Sequence, residues 1–121
     1  MPQINSFRDL IAWQLAMELT DTVYALTENF PRREWFGLSQ QMRKSAVSVP
    51  SNIAEGTRLR TAGYVSHLYI ALGSHGELDT QCEIATRRGF IRDANRRKLE
   101  SLLAESGRVL HGLLRSLDPS S

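Results

Sequence analysis

The sequence of 121 residues lacks the features that mark secreted, membrane-spanning and disulfide-stapled proteins. Cys82 is its one cysteine, so no disulfide can form within the chain. No apolar run approaches the ~20 residues that a membrane-spanning helix requires. The first ten residues have neither the basic nor the apolar segment of a signal peptide. We therefore expect a protein of the reducing cytoplasm.

Glycine and proline are also scarce, with 8 and 4 residues, whereas hydrophobic residues make up 41% and charged residues 23% of the chain. This composition is too apolar for a disordered chain and too poor in glycine and proline for a fibrous or loop-rich one. Together with the length, it predicts one globular domain that spans residues 1–121.

Motifs for catalysis or metal binding are missing as well. His75, Asp79 and Cys82 share one helical face, but apolar residues lie there too, and a packed cysteine beside a half-buried histidine explains the pattern without a metal. Cys82 has no base within reach on its own helix, because His75 is two turns away. The segment GSHGE lacks the strand and lysine of a phosphate-binding loop. We expect no enzyme activity, no cofactor, no metal and no small-molecule substrate.

Four long segments with helical periodicity make up most of the chain. The predicted helices span about 6–28, 34–56, 61–88 and 93–117. Ser6 and Thr61 are the predicted N-caps of the first and third. Because long helices joined by short connections pack as antiparallel neighbours, the predicted fold is all-α, an antiparallel up-down-up-down four-helix bundle.

The first and fourth predicted helices differ in how their apolar residues are arranged. In the fourth, leucines recur at spacings of three and four from Leu99 to Leu117, which indicates one core-facing side. In the first, a stripe with Trp13, Met17 and Tyr24 lies about 150° from the main one. A broad core could absorb both stripes, but the second stripe favours another protein surface over this helix, so these three residues are the predicted oligomer interface.

Small residues and one proline interrupt the second and third predicted helices. Pro50 predicts a kink just before it, because proline removes a backbone donor and clashes with the preceding turn. Gly73, Ser74 and Gly76 lie within the third helix, where each glycine costs ~1 kcal/mol relative to alanine. A close helix–helix contact at these residues would offset that cost, and we predict one.

The segment SNIAEG at 51–56 is typical of a helix end with a structural role. Gly56 is predicted to adopt the left-handed conformation of a C-cap, and Asn52 to bond backbone or partner groups nearby. Glu55 would oppose the helix dipole in the last turn, so we expect a specific partner for it, either an arginine or an N-terminal amide.

The net charge is only +2, but it is unevenly distributed. The segment RRGFIRDANRRK at 87–98 carries +5, whereas residues 61–86 contain three acidic residues and no lysine or arginine. Such a compact segment creates a local positive field that suits phosphate or carboxylate groups, although a solvated turn with helix-end charges is an equally good interpretation. The cations predicted to contact nucleic acid are Arg43, Lys44, Arg58, Arg60, Arg87, Arg88, Arg92, Arg96, Arg97 and Lys98.

Several motifs together resemble the four-helix-bundle proteins of the bacterial 23S rRNA intervening-sequence family. They are FRDLIAWQLAMEL at 7–19, the FP at 30–31 with Glu34, QMRKSAVSVPSNIAEG at 41–56, and IALGSHGELDTQCEIA at 70–85. The last of these contains Gly73, Ser74 and Glu77. The resemblance runs from Phe7 to about Leu117.

The resemblance implies a four-helix bundle and, for several relatives, a ring-like homopentamer. It also implies similarity to the accessory variability proteins of diversity-generating retroelements, which assemble similarly and bind nucleic acid with basic surfaces. The first hypothesis is therefore a non-enzymatic oligomer that binds RNA or DNA without strong sequence readout, since Phe90 is the one aromatic residue within 87–98. The alternative is a structural scaffold or protein-interaction module with no nucleic-acid role.

Overall fold

A computed structural model describes residues 6–120 of the chain. Within that range the chain forms four α-helices and two short 3-10 helices, and no strand. The α-helices are α1 (Ile11–Thr27), α2 (Leu38–Gly56), α3 (Thr61–Arg87) and α4 (Asp93–Leu117), and the 3-10 segments are Phe7–Asp9 and Arg32–Glu34. The all-helical class is confirmed, and α3 and α4 end within one residue of their predicted bounds.

The first two α-helices begin later than predicted. Ser6 caps the 3-10 segment instead of α1, since its hydroxyl accepts a hydrogen bond from the Arg8 amide at 3.2 Å. Leu10 is extended and stands before α1 without a side-chain cap. A carboxylate oxygen of Glu34 accepts from the Leu38 amide at 3.2 Å, which stabilises the delayed start of α2. Thr61 is the first residue of α3 and not its cap.

The core consists of two clusters that draw on different halves of the helices. The first joins the later half of α1, the first half of α2, the later half of α3 and the first half of α4, as Val23, Met42, Cys82 and Leu99 show. The second joins the complementary halves, with Ala12, Ile53, Leu68 and Leu110 among its members. Each fully buried leucine contributes ~1.5–3 kcal/mol relative to an exposed one.

The one-sided stripe predicted for α4 is confirmed. Leu99, Leu102, Leu103, Ser106 and Leu110 are all buried. At the end of the helix Leu114 is fully buried, whereas Leu113 and Leu117 are half-buried.

Pro50 is buried inside α2, and the helix continues through it. A proline has no amide hydrogen, so the Ala46 carbonyl four residues earlier loses its helical donor. The hydroxyl of Thr20 lies 3.1 Å from that carbonyl oxygen and 2.8 Å from the Ala16 carbonyl oxygen in its own helix. The hydroxyl shares its one proton between the two carbonyl oxygens. The Thr20 hydroxyl therefore links α1 to α2 at the carbonyl that the proline leaves without a donor.

The close contact predicted at Gly73 and Gly76 is wrong within the chain. A Cβ atom placed on either glycine would meet nothing within 4 Å. The glycines without room for a side chain are Gly56 and Gly107. A Cβ on Gly56 would lie 2.9 Å from the Tyr64 ring, and one on Gly107 would lie 2.8 Å from the His75 ring. Glycine therefore permits close packing at the end of α2 and in the middle of α4.

The left-handed conformation predicted for Gly56 is found at Gly89 instead, where φ is +78°. The Gly89 amide donates to the Thr86 carbonyl at 3.0 Å, and the Phe90 amide donates to the Ala85 carbonyl at 2.9 Å. This pair of bonds is the Schellman motif, which satisfies the last carbonyls of α3 and turns the chain towards α4.

Candidate nucleic-acid interface

The connection between α3 and α4 lies beside the connection between α1 and α2. The Phe30 and Phe90 ring centroids are 5.4 Å apart, and Phe30 and Ile91 are buried in the first core cluster. The guanidinium carbon of Arg33 lies 5.9 Å from the centroid of the Phe90 ring. The cations in and beside the two connections therefore lie at the same end of the bundle. We call this group the basic end: Arg32, Arg33, Arg87, Arg88, Arg92, Arg96, Arg97 and Lys98.

Arg32 and Arg33 were not among the cations predicted from the sequence. Their segment reads FPRR, and the other connection reads RRGF, so each places a phenylalanine near two arginines. The pairing of the two phenylalanines in the structure is what joins the charges. Two matching aromatic–basic segments at the ends of the first and third α-helices are the signal that could have revealed this.

The cations of the basic end differ in what they already contact. Arg88, Arg92, Arg97 and Lys98 are exposed, and none forms an ion pair within residues 6–120. Arg87 pairs with Glu83 at 3.3 Å, and Arg96 lies 3.6 Å from Asp93 and 3.8 Å from Glu100. Exposed pairs of this kind contribute ~0–1 kcal/mol, so a phosphate can compete for these arginines as well.

The other predicted cations lie away from the basic end. Arg43 is half-buried: its Nε donates to the Thr27 hydroxyl at 2.8 Å, and its guanidinium carbon lies 4.6 Å from the Tyr24 ring centroid. Arg58 and Arg60 are exposed between α2 and α3, a full length of α3 from the basic end, which is about 39 Å at 1.5 Å per residue. The predicted set is therefore divided among three places, and Lys44 lies with Arg43 on α2.

An open groove of about 500 Å³ lies between the two connections of the basic end. Asn29 and Asn95 line it together with Arg92, Gly89 and Phe90. Amide and guanidinium groups donate hydrogen bonds to phosphate oxygens and base edges, so the groove offers the donors that a nucleic-acid strand accepts.

A chain of polar side chains joins α2 to α3 and contains the predicted SNIAEG residues. The hydroxyls of Ser48 and Ser74 are 2.7 Å apart, and the Asn52 amide nitrogen donates to the Ser48 carbonyl at 2.8 Å. The Asn52 oxygen lies 2.9 Å from His67 Nδ1, and a Glu55 carboxylate oxygen lies 3.8 Å from the same nitrogen. The partner of Glu55 is thus His67, and neither an arginine nor an N-terminal amide.

These contacts determine that Nδ1 of the His67 ring is a hydrogen-bond donor. Because the Asn52 nitrogen donates to a carbonyl, its oxygen faces the ring and must accept, so Nδ1 carries the proton. The contacts hold α2 against α3, which agrees with a structural role for the segment. Glu77 is exposed beside this chain of residues and lines the same shallow groove as Ser48 and Ser74.

The histidine and cysteine of α3 are engaged in packing. His75 Nε2 lies 2.8 Å from the Leu103 carbonyl oxygen and donates to it across the α3–α4 contact. Cys82 is buried, and burial, followed by the nearby charge of Asp79, raises the pKa of its thiol to about 12. Within residues 6–120 no three His, Cys, Asp or Glu side chains gather where they could hold a metal ion. A thiol of that pKa is not a nucleophile at neutral pH.

The aromatic stripe predicted as an oligomer interface is divided in the structure. Trp13 and Met17 are half-buried, and Trp13 packs against the second core cluster and the Phe7 ring, whose centroid is 5.4 Å away. Tyr24 is exposed. The broad core absorbs much of the second stripe, and whether these residues meet another chain stays a prediction.

The model of the 23S rRNA-intervening sequence protein family matches residues 8–112. The chain belongs to that family. The chain is also similar to a solved protein of unknown function from the S23 ribosomal protein family of Bacteroides thetaiotaomicron, with 20% identity and a TM-score of 0.79 over 87% of this chain and 96% of that one. This likeness shows a shared fold. No protein of curated function matches the chain.

The part of the chain that the family model matches contains the whole basic end and the α2–α3 polar contacts. Its helices, over the range that the structure describes, include none that is both long and apolar enough to cross a membrane.

Proposed function

We propose that this family member is a non-enzymatic, self-assembling cytoplasmic protein that binds RNA or DNA through phosphate contacts at its basic end. One observation carries the proposal: two connections, distant in sequence, lie side by side at one end of the bundle with eight cations on or beside them, and six of these cations are exposed without an ion pair among the described residues. Proteins that neutralise phosphates in this way release condensed counterions, which supplies most of non-specific affinity.

The chemistry of the basic end favours the backbone of a nucleic acid over its bases. Phe30 is buried and Phe90 is half-buried against it, with Arg33 beside the Phe90 ring, so little aromatic surface is left for base stacking. Arginine donates bidentate hydrogen bonds to phosphate, and the Asn29 and Asn95 side chains add uncharged donors. Binding should therefore depend strongly on salt and weakly on sequence.

We further propose an up-down-up-down bundle that assembles into a homopentameric ring. The alternation of helix halves between the two core clusters supports this topology, because successive helices that run in opposite directions would produce it. The resemblance to ring-forming relatives supports five copies. A ring repeats the basic end around one axis, which strengthens the field that attracts a polyanion.

The test compares two double variants of matched charge on and beside α4. Arg92→Ala with Arg97→Ala removes exposed cations of the basic end, and Arg108→Ala with Arg115→Ala removes two exposed cations elsewhere. Affinity for an RNA and a DNA of mixed sequence is measured by anisotropy across a salt series. For the first pair, the slope of log affinity against log salt should shrink by roughly 0.7–0.9 for each phosphate that is no longer neutralised.

The control pair should keep the wild-type slope. Equal reductions in both pairs would mean that total charge, and not the basic end, determines binding. Arg96 is left intact in this design because its two ion pairs would complicate the interpretation.

The second candidate function is a scaffold or protein-interaction module without a nucleic-acid role. The exposed ring of Phe36, which is 90% accessible, favours it, because such residues mark protein-binding surfaces. Wild-type protein that binds neither RNA nor DNA at low salt would leave this candidate in place of the first.

A further inference from the structure

Three exposed aromatic side chains lie together on the surface formed by α1, α2 and the connection between them. Tyr24, Trp35 and Phe36 line one open groove of about 490 Å³, and Val47 lines it with them. We call these four residues the aromatic surface. The Phe36 side chain is 90% exposed and that of Trp35 is 49% exposed. Because a ring that is exposed to this degree gains little from burial, the fold of the single chain does not account for Phe36.

The Phe36 ring is presented to solvent by a hydrogen-bonded turn. The Trp35 amide, one residue before the ring, donates to the Arg32 carbonyl at 3.2 Å. The Gly37 amide, one residue after it, donates to the Glu34 carbonyl at 3.0 Å. The backbone on both sides of the ring is thus defined, so a flat group that stacks on the ring does not first have to order a loop.

Cations lie in and beside the aromatic surface. Arg43 and Lys44 line the same groove as its rings, and the guanidinium carbon of Arg32 lies 5.3 Å from the Trp35 ring centroid. Residues 35–54, which supply most of the groove, contain no aspartate or glutamate. The exposed rings therefore lie in a positive field, which favours a partner that carries negative charge.

Two carboxylates lie near this surface, and they differ in what they contact. An oxygen of Glu34 accepts from the Leu38 amide at 3.2 Å, so its charge is engaged by the start of α2. Glu28 lines an adjoining groove with Arg43. A carboxylate repels phosphate, but it accepts hydrogen bonds from the amino groups of bases, and the exposed Gln40 amide both donates to and accepts from base edges. The uncharged and acidic groups therefore suit the bases of a nucleic acid, and the cations suit its phosphates.

Arg43 is held in one orientation beside the rings. Its Nε donates to the Thr27 hydroxyl at 2.8 Å, and its Nη2 donates to the Tyr24 carbonyl at 3.4 Å. The guanidinium carbon lies 4.6 Å from the Tyr24 ring centroid. The remaining nitrogen, Nη1, has no acceptor within residues 6–120. Arg43 thus offers a preorganised donor to a phosphate oxygen at the edge of the aromatic surface.

The aromatic surface adjoins the basic end through two consecutive arginines. The guanidinium carbon of Arg33 lies 5.9 Å from the Phe90 ring centroid, and that of Arg32 lies 5.3 Å from the Trp35 ring centroid. One polynucleotide can therefore contact the basic end with some of its phosphates and the aromatic surface with neighbouring nucleotides. Exposed rings also occur on protein-binding surfaces, but this continuity with a cationic region favours a polyanion.

We propose that the aromatic surface is a stacking site for unpaired bases of a single-stranded nucleic acid whose phosphates contact the basic end. This site rests on the nucleic-acid binding proposed above and names the kind of strand that is preferred. Bases within a duplex are stacked on each other, whereas an unpaired base can lie flat on the Phe36 ring. Every base has such a flat face, so the site adds affinity for single strands without adding sequence preference.

The experiment compares three labelled probes, each prepared as RNA and as DNA. They are a single strand of mixed sequence, its duplex, and an abasic strand of the same length, which keeps the phosphates and lacks the bases. Phe36→Ala removes the exposed ring, and Phe36→Tyr keeps an aromatic ring in its place. Ile11→Ala, at another apolar position of which 63% is exposed, is the matched control. Affinity is measured by anisotropy at one salt concentration, and helicity by circular dichroism.

Wild-type protein should bind the mixed single strand more tightly than the abasic strand, although both carry the same number of phosphates. Phe36→Ala should lower the affinity for the mixed single strand by roughly 5- to 150-fold, which corresponds to the loss of one stacked base. The affinities of this variant for the abasic strand and for the duplex should stay at the wild-type values. Phe36→Tyr and Ile11→Ala should both behave as the wild type does, and all variants should keep the wild-type helicity.

The outcomes separate this inference from the proposed function. Wild-type protein that binds none of the probes at low salt would overturn both. A Phe36→Ala chain that keeps the full affinity for the mixed single strand would overturn the stacking site and leave phosphate binding at the basic end intact. A Phe36→Ala chain that loses affinity for all three probes, together with a lower mass in light scattering, would assign the ring to a contact between protein chains and would likewise overturn the stacking site.

Discussion

Helices α3 and α4 are neighbours of similar length, 27 and 25 residues, but they relate differently to their surroundings. In α4 the leucines occupy one side, where they are buried or half-buried, and the opposite side is polar. The fold of the single chain therefore accounts for the pattern of this helix. In α3 the buried side is matched by exposed Ile70 and Ile84 on the other. The contrast teaches that α4 keeps its large apolar side chains on the core side, whereas α3 leaves two isoleucines about half exposed.

Glycine makes the same contrast at the level of single residues. Gly107 in α4 lies against the His75 ring, which leaves no room for a side chain. Gly73 in α3 faces open space. One glycine is required by packing inside the chain, whereas the other meets nothing among the described residues.

The largest expected effect tests the two sides directly. Leu110→Ala removes a fully buried side chain of α4 and should lower the free energy of unfolding by ~2–5 kcal/mol, because the cavity cannot close completely. Ile84→Ala, at a position of α3 that is 45% exposed, should change it by less than ~0.5 kcal/mol. Urea denaturation measures both. A similar loss at both positions would mean that Ile84 is covered within the monomer.

A smaller effect is expected from the two glycines. Gly73→Ala should raise the free energy of unfolding by ~0.5–1 kcal/mol through helix propensity alone, because nothing in the described chain lies within 4 Å of the added methyl group. The Gly107→Ala chain should be less stable than the Gly73→Ala chain by ~1 kcal/mol or more, because the new methyl group displaces His75 from the Leu103 carbonyl. Adding His75→Ala should remove most of the difference. Equal stability of the two single variants would contradict the tight contact at Gly107.

The smallest effect concerns the hydrogen bond between Tyr69 on α3 and Asp118, which follows α4. The Tyr69 hydroxyl donates to Asp118 at 3.0 Å, and hydrogen bonds from Ser120 and then Tyr69 lower the pKa of that carboxyl from its ordinary 3.8. A lowered folded-state pKa favours folding above pH 3.8, and this contribution disappears as the pH falls through the folded-state value.

Tyr69→Phe should therefore move the pKa of Asp118 back towards 3.8 in an NMR titration, with little change in stability because the hydrogen bond lies at the surface. Ser116→Ala, in the last turn of α4, is the matched control. An unchanged Asp118 titration in the Tyr69→Phe chain would show that the hydrogen bond does not persist in solution.

The sequence predicted α4 well because a single period of three and four, from Leu99 onwards, leaves one orientation for the helix. It predicted α3 in extent but not in environment, since glycine carries no pattern that tells which neighbour lies beside it. For that reason the close contact was assigned to Gly73 and not to Gly107. The start of α2 was placed too early because the 3-10 turn at Arg32–Glu34 continues a helical spacing without continuing the helix.

For the candidate site, the sequence revealed the charges but not their arrangement. The run at 87–98 is contiguous, so its concentration of arginine is visible in one dimension. The addition of Arg33 depends on the packing of Phe30 on Phe90, and the withdrawal of Arg43 depends on Tyr24 and Thr27, which lie one helix away. The partner of Glu55 is likewise fixed by how α2 and α3 align, which no local pattern encodes.

The buried thiol of Cys82 makes the chain suited to fluorescent labelling. With a pKa of about 12, roughly one thiol in 10⁵ is ionised at pH 7, and maleimide dyes react with thiolates that they can reach. The folded chain therefore stays unlabelled, and a cysteine introduced at exposed Ala104 would carry the dye alone. Donor-labelled and acceptor-labelled chains prepared in this way would report subunit exchange in real time, with every native residue of the core in place.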